Sequence, residues 1–375
     1  MKDIPNDQSA TVSRARATAS LVLRTLVSLA FSGVFVWLSL RQTDLRAVAR
    51  AMAAAGWLPL LVYLLILLAV HIVRTVRWGL LLERVGHVGF RRLNSASAIG
   101  YMMLMVLPLR LGELARPLLV ARTRDGAGPQ LSRGGAMASC VVERVIDGLA
   151  VGAMGVLGLY FVGARGGMAD FARHASVLVS AAFSALCVSL IAAFFARRRA
   201  VALVRRLVGA VSPRLAARAA WILDEFITAL HLGSAWRVLA VLLLTATHWG
   251  LQVVGFTLLA PAFGIHLTPL MACAVLASQA AGVMVPAGPG MVGTSQFFTQ
   301  AGLSIFVPGA LSVPEVAARA AGYANCIWML QFGQQVALGL VFWFWSRGSI
   351  GDVLGGNSRE GALARDLDVE SSVAV

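Results

Sequence analysis

Val106-Leu107-Pro108-Leu109-Arg110-Leu111-Gly112 interrupts one long apolar segment of the chain, and Met284-Val285-Pro286-Ala287-Gly288-Pro289-Gly290 interrupts another. The Pro and the Gly four residues after it recur at a constant offset of 178. Proline removes a backbone donor and glycine frees the backbone, so each segment is expected to break inside a membrane, where irregular backbone survives only under cover of protein or a wet cavity. Paired interrupted segments in the two halves of a chain point to the substrate site of a transporter. The second break runs on through Met291-Val292-Gly293, so Pro108 and Gly112 carry the first interruption and Pro286, Gly288, Pro289, Gly290 and Gly293 the second.

Outward from the breaks, 58% of the 375 residues are hydrophobic and 13% are charged, which is the balance of a multispanning membrane protein. The net charge of +15 comes almost entirely from arginines in short loops, without interleaved aromatics, so membrane orientation and anionic lipid explain it better than nucleic acid does. Cys140, Cys187, Cys273 and Cys326 are scattered through apolar stretches with neither CxxC nor Cys/His spacing, and they read as small buried residues. The six histidines show no ligand spacing, and no metal, nucleotide loop, catalytic triad or other cofactor is expected. The run from Leu21 to Leu40 is long for a signal-peptide core and reads as a retained first span.

The expected fold is an all-α polytopic membrane protein. Six full spans fall near 21–40, 57–82, 134–162, 175–196, 236–260 and 316–346, with interrupted, re-entrant segments at about 95–121 and 268–306. The domain plan is a cytoplasmic segment 1–20, one membrane domain 21–347 and a disordered cytoplasmic tail 348–375. Arginines crowd the first break (Arg84, Arg91, Arg92, Arg122, Arg124, Arg133) and the stretch Arg197 to Arg237, whereas Val238 to Ala318 holds no Lys or Arg. The positive-inside rule then puts both termini and the 197–237 linker in the cytoplasm of an inner (plasma) membrane protein. The loop 41–56, with Arg41, Arg46 and Arg50, falls outside against the rule. Trp57 lies 51 residues before Pro108 and Trp236 lies 50 before Pro286, so the halves (about 57–162 and 236–346) read as inverted repeats. In the linker, Arg205, Arg206, Arg214 and Arg218 interleave with Leu203, Val204, Leu207, Val211, Leu215 and Trp221, as in a basic amphipathic helix pair on the cytoplasmic leaflet or an ordinary solvated connection.

An ionisable group at mid-bilayer costs about 2.5–3.5 kcal/mol on insertion scales, so intramembrane charges are candidates for function. Glu143 and Asp147 are four apart on one face of the third full span, with Arg144 three before Asp147 and able to pair with it. The competing reading is a self-neutralising clasp between helices. His71, Arg74 and Arg77 form one stripe of the second span; Arg74 lies deep, while Arg77 is near enough the cytoplasmic end to snorkel. Arg110, Glu113 and Arg116 follow Pro108 at the start of a new half-helix, which could cradle a phosphate or merely touch headgroups as a loop. The second break is uncharged; Thr294, Ser295, Gln296 and Gln300 offer neutral contacts, and Asn325, Gln331, Gln334 and Gln335 of the last span would line the same cavity or bond neighbouring helices.

Leu107-Pro108-Leu109-Arg110-Leu111-Gly112-Glu113-Leu114-Ala115-Arg116, then Glu143-Arg144-Val145-Ile146-Asp147, then Pro289-Gly290-Met291-Val292-Gly293, resemble the flippase-like membrane region of the lysylphosphatidylglycerol synthases, a region that stand-alone proteins share. The resemblance runs from about Gly56 to Arg347. It implies movement of a lipid between leaflets, in contexts that include aminoacylated phospholipids, isoprenoid-linked lipids and hopanoids. By matching position, Arg110, Glu113, Arg116, Glu143, Arg144 and Asp147 take the family's polar motif places. Two departures stand out. No soluble aminoacyl-transferase domain follows Arg347, so synthase activity is not expected; and Gln296 stands where many relatives carry Glu.

The expected function is therefore that of a lipid flippase or transporter and not an enzyme. Arg74, Arg110, Arg116 and Arg144 would hold an anionic headgroup, Glu113, Glu143 and Asp147 a cationic portion or a proton, and Gln296, Gln300 and Asn325 would line the second half. Its partners would be membrane lipids with anionic or zwitterionic headgroups. The alternatives are an integral membrane transferase acting on a lipid-linked substrate, with Glu113 or Glu143 as base, and a non-catalytic partner of a lipid-synthesising enzyme.

Overall fold

The computed structural model describes residues 45–83, 85–107, 112–122, 131–162, 195–210, 234–284 and 288–345, with scattered positions in 30–38, 170–192 and 212–224. Pro108, Arg110, Pro286 and Cys187, the tail from 346, most of the expected span 21–40 and part of the expected span 175–196 lie outside the described residues. All described elements are helical: α1 Leu45–Ala54, α2 Trp57–Leu82, α3 Phe90–Val106, α4 Ala115–Arg122, α5 Arg133–Phe161, α6 Arg197–Gly209, α7 Ala235–Leu259, α8 Pro269–Met284, α9 Thr294–Ser304 and α10 Pro314–Trp345.

Three helices of the described chain are long and apolar enough to cross a membrane: Trp57–Leu82, Ala235–Phe263 (α7 with its closing turn) and Pro314–Trp345. They carry their polarity inside out. On α2 the exposed positions include Trp57, Leu58, Leu61, Leu65, Ile72 and Val76, while Tyr63, His71, Thr75 and Arg77 are buried. An apolar exterior around a polar interior is what a lipid environment demands of a helix bundle, the reverse of the pattern in water. α5 is equally long at 29 residues but carries Glu143, Arg144 and Asp147 at its centre, so its burial rests on pairing and not on hydropathy alone.

Local chemistry sets the ends. Ser132 accepts a hydrogen bond from the Gly135 amide at the start of α5, Ser234 begins α7 in the same way, and Pro314 opens α10 with Glu315 in its first turn. The loop expected over 41–56 is instead largely α1, an amphipathic helix seated on α10 through Val48 against Ala318 and Ala321. Four-residue spacing of its arginines against Leu45, Val48 and Met52 is a helical pattern that the charge count alone hides. In the linker, α6 forms with no buried residue and with Leu203 and Leu207 exposed; Arg197 lays two nitrogens on Asp224 at 2.6 and 2.8 Å, holding that carboxyl below its usual range. Arg214, Arg218 and Trp221 lie outside the described residues.

Both interrupted segments are helical hairpins. α4 folds back on α3, with the backbone of Arg116 against Gly100. α9 folds back on α8, with Gly302 against Val275 and Phe298 against Gly282, while Ser278 Oγ donates to Phe298 O at 2.8 Å. The packing between halves is reciprocal: α2 lies on α7, α3 on α10, and α5 on α8. α2 and α7 are antiparallel, since Tyr63 meets Gly255, Leu81 meets Val241, and Glu83 pairs with Arg237 at 3.0 Å. Each seam brings a glycine to the partner helix: Gly255 on Tyr63, Gly339 on Met102, and Gly158 on Leu270 and Ala274. Small residues at these crossings let backbones approach where lipid offers no hydrophobic drive.

Candidate functional site

Four charged side chains meet in the middle of the bundle. Arg77 of α2 donates from Nη1 to Asp147 Oδ1 at 2.7 Å, and from Nη2 to Glu143 Oε1 at 2.9 Å and Asp147 Oδ2 at 3.1 Å. Its Nη1 also reaches Thr245 Oγ1 of α7 at 3.1 Å. Arg116 of α4 donates from Nη2 to Glu143 Oε2 at 2.7 Å and from Nη1 to the Tyr101 hydroxyl at 2.6 Å. Its guanidinium carbon lies 4.2 Å from the Trp78 ring centroid and 4.8 Å from that of Tyr101. The chain Arg116–Glu143–Arg77–Asp147 is thus neutral, and it ties α2, α4, α5 and α7 together. Arg77 and Glu143 are both 0% exposed, so the snorkelling reading of Arg77 does not hold. Two carboxylates one helical turn apart accept the planar fork of a guanidinium, a fit that a lysine could not make.

The phosphate cradle expected at the first break is not formed by Arg116. Its guanidinium is turned inward onto Glu143 and Tyr101, and it borders a smaller pocket of about 120 Å³ with Glu113, Cys140 and Arg144. The expected pairing of Arg144 with Asp147 is a loose one at 4.0 Å, and the Arg144 side chain remains 38% exposed.

Beside this network lies a cavity of about 250 Å³, walled by α2, α3 and α5 on one side and by α7, α8 and α10 on the other. Arg74, Arg144 and Asp147 are its charged wall residues, with His71 and His248. Arg74 rests its guanidinium carbon 4.0 Å over the Tyr101 ring, and its Nε has no hydrogen-bond partner. The second half presents Gln252, Gln279, Ser295, Gln331, Gln334 and Gln335; the remainder is mostly apolar, including Leu67, Val70, Met105, Val283, Met291 and Phe332.

Gln296, Gln300 and Asn325, expected on this wall, are not part of it. Gln296 Oε1 instead accepts the Gly293 amide at 2.8 Å and caps α9, and Asn325 donates to Ala321 O of its own helix. Asn325 stands three residues before Trp328, the first α10 residue on the wall, and so lies beyond the end of the cavity. Gln279 and Ser295 take the place instead, joined at 3.1 Å across the second hairpin as Tyr101 and Arg116 are across the first. The cap defines the cost of losing it: Gln296→Ala is expected to lower stability by about 1 kcal/mol, as thermal unfolding in detergent would show.

The second break is held by backbone geometry. Gly290 and Gly293 have φ of +70° and +85°, and between them Met291 adopts +55°, uncommon for a residue with a side chain. Trp328 Nε1 donates to Gly290 O at 2.7 Å, and the Met291 side chain packs with Tyr101 and Leu104 of α3. The second break thus leans on the first half at the cavity wall.

No curated protein and no solved structure matches the chain. The family model of the lysylphosphatidylglycerol synthase TM region matches residues 25–323, which takes in both hairpins, the charged network and most of the cavity wall. The chain belongs to the family of the lysylphosphatidylglycerol synthase TM region.

Proposed function

We propose that this protein moves a polar-headgroup lipid between the leaflets of a membrane. The observation that carries the reading is the cavity itself: a space walled by both halves of the bundle in which two arginines and a row of glutamines are set into apolar surface, behind helices that turn their apolar sides outward. A headgroup crossing a bilayer needs such a polar passage, because an uncovered polar group in hydrocarbon costs several kcal/mol, of order 2–7 by transfer measurements. The family's tie to a membrane region of lipid-modifying proteins supports a lipid role.

The reciprocal packing of α2 on α7, α3 on α10 and α5 on α8 supports two inverted repeats about a pseudo-two-fold axis, with the hairpins as re-entrant elements on either side of the site. The arginine distribution supports cytoplasmic termini and linker. The transferase reading draws less support: Glu143, a candidate base, has both oxygens engaged by guanidinium groups. Glu143 and Asp147 act in this scheme as the structural clasp, and Arg74 and Arg144 as the contacts to cargo.

The test is transport in vesicles reconstituted with the full chain, following a headgroup-labelled phospholipid from the inner to the outer leaflet. Arg144→Ala is expected to slow movement by about tenfold or more, the equivalent of about 1.4 kcal/mol, while the protein stays monodisperse, since Arg144 makes only a loose contact. Unchanged rates in both Arg144→Ala and Arg74→Ala would overturn the reading.

A further inference from the structure

Resting on that transport reading, we infer that the cavity selects lipids with a net anionic headgroup, one that carries a phosphate-type oxyanion and no ammonium group. The sequence suggested a site for both signs of charge, with arginines for a phosphate and carboxylates for a cation. The structure divides them differently. Arg77 and Arg116 consume Glu143 and Asp147, and the second oxygen of each carboxylate is also engaged. The Trp249 indole donates to Asp147 Oδ1 as well, at 3.3 Å.

Two guanidinium groups outside that network stand on the wall, Arg74 and Arg144, so that with Glu113 counted the site keeps a net positive charge. Arg74 forms no ion pair there, and its contact is to the face of Tyr101. Arg144 has Asp147 at 4.0 Å, and Glu113 borders the adjoining smaller pocket.

The opposite wall offers no carboxylate. From Phe226 to Pro314 the sequence contains no Asp or Glu, and Glu315, the next, is on the surface and paired with Arg319 at 2.7 Å. Its polar cavity residues are five glutamines and a serine, which bond phosphate and glycerol oxygens alike, with His248 and the indoles of Trp249 and Trp328. An ammonium group entering this space would meet two fixed cations and no free anion. Like-charge juxtaposition in a partly desolvated site costs several kcal/mol, so the arrangement rejects cationic headgroups as well as attracting anionic ones. The apolar wall residues argue that the oxyanion arrives with hydrocarbon attached rather than as free phosphate.

The test separates binding from movement. The purified full chain in detergent is offered an equimolar mixture of phosphatidylglycerol, phosphatidylcholine and lysyl-phosphatidylglycerol, and the retained lipid is measured by native mass spectrometry. The expected result is enrichment of phosphatidylglycerol over the lysyl form by about tenfold or more, undiminished by inorganic phosphate at equal concentration. Arg144→Glu is expected to reverse the order in favour of the lysyl lipid, a gain that a misfolded variant could not give. Equal retention of the three, or preference for the lysyl form by the wild type, would overturn the inference. Displacement by inorganic phosphate would assign the site to a small anion and overturn its lipid part. The vesicle assay is scored independently: selective retention without movement would leave the charge selection standing and remove the transport reading, and movement without selective retention would do the opposite.

Discussion

Arg77→Met is expected to be the most destabilising single side-chain replacement in the charged network, at about 3–5 kcal/mol. The reason is the number of partners its two terminal nitrogens hold. Arg77 supplies three of the hydrogen bonds that neutralise Glu143 and Asp147 and a fourth to Thr245, and the site is closed to water at 0% exposure. Removing it leaves Glu143 with Arg116, but leaves Asp147 with the Trp249 indole and a guanidinium 4.0 Å away. An ion buried without its counter-charge is what makes such truncations costly; the pair itself need not add stability over a well-packed apolar substitute.

That asymmetry gives a second arm. Arg77→Met combined with Asp147→Leu removes both members of one pair, keeps Arg116–Glu143 intact, and is expected to recover most of the loss. Thermal unfolding in detergent, followed by tryptophan fluorescence, reads both variants. A single variant within about 0.5 kcal/mol of wild type would show that Arg77 is not the keystone of this network, since shifts that small are typical of surface sites.

Arg77 also shows where sequence reading reached its limit. Its stripe with His71 and Arg74, and the shared face of Glu143 and Asp147, are visible as helical spacing. What joins them is not local: the partners of Arg77 lie 66, 70 and 168 residues away. Position near the end of a span favours snorkelling in an isolated helix, and only the packing of α5 and α7 against α2 turns the same side chain inward. The two breaks, by contrast, were legible because Pro and Gly act on the backbone where they stand. The helices α3, α4, α8 and α9 flank them much as the segments 95–121 and 268–306 require. The glutamines fall between these cases. Gln331, Gln334 and Gln335 share the cavity side of α10 by their spacing, but the turn of Gln296 toward the Gly293 amide depends on the φ values within the second break, which composition does not report.

Gly112→Ala is expected to open the first hairpin and to cost about 3 kcal/mol, the upper end of the range for overpacking. The two breaks need glycine for different reasons. At Gly290 and Gly293 the requirement is left-handed backbone, for which a side chain costs roughly 1–2 kcal/mol. At Gly112 it is space: an added Cβ would fall on the peptide joining Met103 to Leu104 at the end of α3. Backbone inside a helix cannot rotate aside as a side-chain tip can, so the turn must lift away from α3. α4 begins three residues later and carries Arg116, so the lift would draw that guanidinium from Glu143 and Tyr101 and expose the pocket bordered by Cys140. Maleimide labelling of Cys140, with Cys187, Cys273 and Cys326 replaced by alanine, is expected to rise by about tenfold or more in Gly112→Ala, as a shift of about 1.4 kcal/mol in a local opening equilibrium would require. Gly293→Ala, strained at the other hairpin, should leave Cys140 labelling near the parent level. If Gly112→Ala labels no faster than the parent, the close approach at Gly112 does not hold Arg116 in place, and the link between the first break and the charged network fails.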